Sequence, residues 1–205
     1  MIEPIAGLIL AGGKSTRFGT DKAVAPLAGR PMLQWVVDAL AGACEELVIV
    51  AAAGQELPAV TTSLPVTIAR DIYDAKGPLA GLVTGFQSVR QPLCFAVSCD
   101  APLLKPELVA LLAAAAAGHD IACPLLGGFM EPLVAVYRPS ACLPVFRDFV
   151  ERDILKITAA FGPLDLVVVA EPEIRGADPE LESFLNANRP VVLDEIAQRL
   201  AARDR

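Results

Sequence analysis

"LILAGGKSTRFGTDK", residues 8–22, begins as an apolar run and breaks into two glycines followed by three basic side chains. Residues 5–7 extend the run backwards, so the stretch reads as a short buried strand. It leaves through a loop that carries Gly12, Gly13, Lys14, Arg17 and Lys22. Paired glycines let the backbone turn with positive φ and bring its amides close to a ligand. A row of such amides binds phosphate oxygens, and Lys and Arg supply full charges beside them. The plain alternative is a glycine turn followed by a solvated loop.

Working outward, apolar runs recur at 47–52, 66–69, 93–99, 121–125, 133–137 and 166–170. Several are continuous, not alternating, as strands covered on both faces require. Helical patterns lie between them. Pro31 stands where a first turn begins, and Met32, Leu33, Val36, Val37 and Leu40 form one apolar face. Further helices are predicted from Pro78 to about residue 89, over 105–117 with Gly118 as its cap, from Pro139, and over about 191–203. The polar segment 171–179 reads as a surface connection. This alternation predicts a single three-layer α/β/α domain over residues 1–205, Rossmann-like, with a mostly parallel sheet. Ligands of such sheets bind beyond the carboxyl ends of the strands, near the switch point. Loops that leave strands are therefore the places to look.

Composition narrows the classes. Of 205 residues, 54% are hydrophobic and 20% charged, enough for a full core. No stretch of bilayer length is free of charge, Pro or Gly, and the start lacks the basic region of a secretory leader. The expectation is a soluble, cytoplasmic protein without membrane contact. The five cysteines are scattered, form no C-x-x-C pair and sit mostly within apolar runs, which suits reduced, small hydrophobes. With His119 as the only histidine, placed after Gly118 in a surface loop, no zinc pattern exists. A net charge of −7 argues against nucleic acid. Between residues 14 and 30, however, Lys14, Arg17, Lys22 and Arg30 face only Asp21, which suits a small anionic ligand.

The common phosphate loops do not fit. The Walker pattern fails because Lys14 follows Gly13 directly, and G-x-G-x-x-G is absent. The second strand ends in Ala51, Ala52 and Ala53, with no carboxylate for a ribose. Other exits are more telling. "FAVSCDAPLL", residues 95–104, places Asp100 at a buried strand's end, where a metal or donors must compensate the charge. A capping role before Pro102 is the alternative. "RDIYDAKGPLAGL", residues 70–82, sets Asp71 after the third strand, and then Gly77 and Pro78 open a helix with free N–H groups. That segment also reads as a plain helix start with close packing at Gly81.

Taken together, L-A-G-G-x-S-x-R-x-G-x-D-K, the strand-D-x-P-x-L motif and G-P-L-A-G resemble the nucleotidyltransferases that make nucleotide-linked cofactors and sugars, most of all the molybdenum cofactor guanylyltransferases. "GGFMEPLVAVY", with Glu131 and Pro132, and "ESFLNANRP", with Asn186 and Asn188, resemble later stretches of that family. The resemblance implies transfer of GMP from GTP to molybdopterin, with release of pyrophosphate. It implies nucleotide contacts from Leu10, Ala11, Gly12, Gly13, Lys22, Asp71, Gly77, Pro78, Leu79, Gly81 and Asp100. Asp100 would bind Mg²⁺, Arg17 and Lys22 would act with it in catalysis, and Asn186 and Asn188 would serve the second substrate. Transient contact with molybdenum-cofactor biosynthesis or delivery proteins is a further implication. Related cytidylyltransferases usually read L-A-A-G at the opening. Two departures stand out: Arg189 in place of the usual Thr, and alanines where some members carry a second-strand Asn. They keep open a transferase using CTP or a phospho-sugar or phospho-lactate acceptor, and a non-catalytic nucleotide or pterin carrier.

Overall fold

The structure is a computed structural model that describes residues 3–12, 23–73, 75–187 and 190–203. The glycine-loop residues Gly13, Lys14, Arg17 and Lys22, together with Asn188 and Arg189, lie outside the described residues. In chain order the elements are β1 (Ile5–Leu10), β2 (Pro26–Leu27), β3 (Arg30–Pro31), α1 (Met32–Ala41), β4 (Glu46–Ala51), β5 (Val66–Arg70), α2 (Gly77–Phe86) and β6 (Leu93–Ser98). They continue as α3 (Pro106–Ala115), β7 (Ile121–Leu126), β8 (Phe129–Met130), β9 (Val134–Tyr137), α4 (Pro139–Glu151), β10 (Leu166–Ala170), α5 (Glu171–Ala177) and α6 (Pro190–Arg203).

The main sheet runs β10-β7-β9-β6-β1-β4-β5, with β8 paired to β7. β1 is parallel to both neighbours, and Leu8 stands beside Val48 on one side and Ala96 on the other. The chain builds outward from β1 through β4 and β5, and then crosses back to β6. The switch point therefore lies between β1 and β6. Among the described strands of this sheet, β8 and β9 alone run against the rest; β9 sits antiparallel between β6 and β7.

Alternate strand residues divide two apolar layers. Ile5, Ile9, Leu47, Ile49, Phe95 and Val97 belong to the layer with Leu33, Val36 and Leu40 of α1, Leu108 and Leu112 of α3, and Ile174 of α5. Leu8, Leu10, Val48, Val50, Cys94 and Ala96 belong to the opposite layer, with Leu82 and Phe86 of α2 and Phe146 of α4. This is the three-layer, mostly parallel arrangement that the alternation predicts. One local reading is corrected. Residues 171–177 form α5, not a connection: Ile174 is fully buried and the Glu173 carboxylate accepts the Ala170 N–H at 3.1 Å. Ahead of α1, the short β2–β3 pair is pinned by the Trp35 indole N–H, which donates to Leu27 O at 2.9 Å.

Glycine spacing on α2 fixes how closely that helix lies on β1. A Cβ at Gly81 would stand 3.2 Å from a Leu10 methyl, and one at Gly85 would collide with Leu8. Gly85→Val is expected to lower unfolding free energy by about 2 kcal/mol through overpacking, measured by urea titration.

Candidate active site

A cavity of about 590 Å³ opens at the carboxyl edge of the sheet, beside the switch point. Its floor comes from Leu10 and Gly12 after β1, Val50, Ala52 and Ala53 at the end of β4, and Ser98 of β6. Asp71, Ile72 and Tyr73 leave β5 along one wall, and Lys76, Gly77, Pro78 and Gly81 bring the start of α2 to it. Leu133, just ahead of β9, closes another side. The size suits a nucleotide-scale ligand.

Six of the predicted nucleotide contacts line this cavity: Leu10, Gly12, Asp71, Gly77, Pro78 and Gly81. Ala11 and Leu79 are buried instead, at 3% and 0% exposure. Leu79 belongs to the apolar layer under α2. Gly12 plays a different part from the one its sequence suggests. Its φ lies outside the left-handed region, and its N–H donates to Val50 O at 3.1 Å, beside the Ala11 N–H at 2.8 Å. A Cβ there would stand 3.1 Å from the Ala52 backbone nitrogen, so glycine serves the close approach to β4, not a turn. Positive φ appears instead at Ala75 (53°) and Gly77 (74°), which flank Lys76. They aim the start of α2 at the cavity. Among the described residues no side chain caps that start, and no acidic residue stands in its first turn. Its N–H groups are thus offered to acceptors of a ligand.

Asp71 is held by its own surroundings. Its Oδ1 accepts the Thr84 hydroxyl at 3.0 Å and the Tyr73 N–H at 3.1 Å, and its N–H donates to Ala51 O at 2.8 Å. Among the described residues no hydrogen bond occupies Oδ2, which leaves that oxygen for a donor in the cavity.

Asp100 lies two residues beyond Ser98 and is buried, at 6% exposure. Asp100 does not cap α3, which starts at Pro106 with Lys105 as its cap residue. The Ala187 N–H donates to Asp100 O at 2.8 Å, which carries the neighbouring, exposed Asn186 to the exit of β6. A knot behind this contact fixes the segment. Fully buried Asp178 accepts the Ser183 N–H at 2.8 Å, the Glu182 N–H at 3.1 Å and the Lys105 ammonium at 3.0 Å. Ser183 Oγ in turn accepts the Lys105 N–H at 3.0 Å. Burial works against the Asp178 charge, but the Ser183 N–H and the Lys105 ammonium hold its carboxyl below the ordinary value of 3.8.

The remaining groups exclude some chemistry. Burial pushes the Cys44, Cys123 and Cys142 thiols up to about 12, so each is a neutral thiol near pH 7 and no thiolate nucleophile. Among the described residues no three His, Cys, Asp or Glu side chains come together to cage a metal. No helix among them is long and apolar enough to cross a membrane.

A model of the MobA-like NTP transferase domain matches residues 7–164. The chain belongs to this family. As a MobA-like transferase it is a nucleotidyltransferase, and its relatives narrow the comparison further. A molybdenum cofactor guanylyltransferase of Desulfosudis oleivorans is 32% identical over 203 residues, 98% of each chain. A probable molybdenum cofactor guanylyltransferase of Natronomonas pharaonis is 34% identical over 95% of this chain and 98% of its own. Among solved structures, molybdopterin-guanine dinucleotide biosynthesis protein A from Archaeoglobus fulgidus superposes with a TM-score of 0.78 at 24% identity, over 96% of this chain and 99% of that one. The 2-C-methyl-D-erythritol 4-phosphate cytidylyltransferase of Thermus thermophilus shares the MobA-like fold at a TM-score of 0.72 and 17% identity, over 98% of this chain and 100% of that one. Six of the predicted contacts in this MobA-like chain share one cavity, with Asp100 and Asn186 joined at the neighbouring strand exit. Sequence reading did not single out Ser98, Tyr73, Lys76 and Leu133, although each lies within a quoted stretch close to a residue that it did name.

Asp178→Asn is expected to lose about 2 kcal/mol at pH 7, because an acceptor of charged and backbone donors is weakened in a buried place. The folded carboxyl is depressed, so its stabilisation is full above the ordinary value of 3.8 and is lost as pH falls through the folded value. Urea titrations from pH 7 to pH 3 check this: the gap between wild type and Asp178→Asn narrows on acidification.

Proposed function

We propose that this chain transfers GMP from GTP to molybdopterin and releases pyrophosphate, forming the guanine dinucleotide form of the molybdenum cofactor. The observation that carries the reading is one strand-exit edge that gathers Gly12, Asp71, the uncapped start of α2 and Asp100. Those are the segments on which the likeness to molybdenum cofactor guanylyltransferases rests, and relatives of that name match the chain nearly end to end. In this reading the base and sugar lie along Asp71 and α2, with Asp71 Oδ2 accepting from the nucleotide and α2 N–H groups donating to it. The loop after Gly12 holds the triphosphate, and Arg17 and Lys22 neutralise its charge. Asn186 and Asn188 serve molybdopterin.

A terminal phosphate oxygen of molybdopterin attacks the α-phosphorus in line. A new P–O bond forms, the bond to the β-phosphate breaks, and the electron pair leaves with pyrophosphate. Positioning and charge stabilisation account for catalysis of this kind, without a covalent intermediate. Mg²⁺ fits the donor set present, because this ion is bound through one or two carboxylates together with substrate phosphates and water. Asp100 is the carboxylate that would hold it, and the bound ion would supply compensation for phosphate charge. The soluble, cytoplasmic setting and transient contact with cofactor-delivery proteins belong to the same proposal.

Asp100→Asn is expected to keep its circular dichroism and lose at least about 100-fold in turnover, assayed by pyrophosphate release. Lys22→Ala is expected to do the same, and wild-type turnover in that variant would overturn the assignment. GTP at a hundred times its Kd should add about 2.7 kcal/mol of stability in a thermal shift, with CTP, ATP and UTP adding less. A carrier would bind nucleotide without releasing pyrophosphate.

A further inference from the structure

Beneath the cavity floor, the turn that follows β4 is closed by one side-chain amide. The Gln55 N–H donates to Ala52 O at 3.1 Å, with Gly54 in the left-handed region at φ 73°. The side chain then folds back over the turn. Its Oε1 accepts the Ala52 N–H at 2.8 Å, and its Nε2 donates to Ala11 O at 3.0 Å, forty-four residues earlier in the chain. Arg70, the last residue of β5, clamps the same turn: its Nη1 donates to Gln55 O at 2.6 Å and to Ala52 O at 3.3 Å. One amide and one guanidinium thus tie the exits of β1, β4 and β5 together.

The location of this brace gives it a consequence. Gly12 and Ala52 both line the cavity, and their backbones approach so closely that a Cβ on Gly12 would reach the Ala52 nitrogen. The Ala11 and Gly12 N–H groups are both bonded to Val50 O. The direction in which the chain leaves β1 is accordingly set against the β4 turn, and Gln55 is the side chain that spans the two. The alanines at 52 and 53 offer no polar side chain for this purpose.

We propose that Gln55 is a positioning residue: its amide braces the β1 exit against the β4 exit and so sets the wall and loop entry that receive the nucleotide phosphates. The inference rests on the reading that this cavity takes GTP. Gln55 touches no reacting atom in it and acts through the Ala11–Gly12 backbone. Gln55→Met keeps the reach of the side chain and removes the amide's bonds to Ala52 and Ala11, and Gln55→Ala removes the reach as well.

Two measurements test the proposal. In pyrophosphate-release kinetics at saturating molybdopterin, both variants should raise KM for GTP by about tenfold, with kcat unchanged within about threefold, as expected for losing two ordinary hydrogen bonds that orient the binding wall. Amide hydrogen exchange on the ligand-free protein should speed up at Ala52 and at Ala11 and Gly12, while the protection of β6 is retained. An active wild type whose KM is unchanged in Gln55→Met overturns the brace. A wild type that does not turn over GTP overturns the nucleotide reading instead. The brace is then decided by exchange alone: faster exchange at Gly12 and Ala52 supports it, and unchanged exchange overturns it.

Discussion

The contact between α2 and β1 is the constraint on which the site depends. β1 lies in the middle of the sheet, with a parallel neighbour on each side and a helical layer on each face. A helix approaches such a strand closely only where side chains are missing between them. Gly81 and Gly85 provide that gap toward Leu10 and Leu8, and Gly7 provides it on the other face toward Leu40 and Leu47. With larger residues α2 would stand off, and its uncapped start would no longer meet the exit of β1. Packing in the core and placement of backbone donors in the cavity are therefore one geometric requirement.

A second requirement operates at the strand exits. Parallel strands deliver several backbones to the same edge, and each leaves polar groups that need partners there. In this chain the partners come largely from that edge itself. Val50 O accepts the Ala11 and Gly12 N–H groups, the Leu10 carbonyl accepts the Cys99 N–H at 3.1 Å, and Asp100 O accepts the Ala187 N–H. Satisfying the backbone in this way also registers β1, β4 and β6 against each other and against the carboxyl-terminal segment. Asp71 follows the same logic one strand further out, where Thr84 of α2 fixes one of its oxygens and leaves the other to the cavity.

Much of this was legible in the sequence, and particular residues show where legibility ended. β1, β4 and β6 are readable because strands covered on both faces carry continuous apolar runs, and all six positions of β1 and of β4 are buried, Glu46 included. The reversal of β9 is not readable, because Val134–Tyr137 is equally apolar in either direction. α5 was obscured by its composition: in EPEIRGA only Ile174 faces the core. Asp71, Gly77 and Asp100 stand in short motifs and could be found from spacing. Gln55 could not, because its amide meets the backbones of Ala11 and Ala52, and no local pattern records a bond across forty-four residues. Lys76 is similar. Its ammonium reaches Val150 O at 3.3 Å and Asp153 at 3.1 Å, partners that only the packing of α4 brings near.

The tie between Asp100 and Ala187 also bears on biosynthesis. Chains emerge from the ribosome amino end first, and the strands from β1 to β6 can pair while the segment 178–187 is still unmade, so the exit of β6 precedes the segment that packs on it. Asp178, Ser183 and Ala187 are translated afterwards, and their bonds to one another, to Lys105 and to Asp100 hold the segment that bears Asn186. A nascent chain thus holds Asp100 without the asparagine beside it, and this part of the edge is completed only once residues 178–187 have been made.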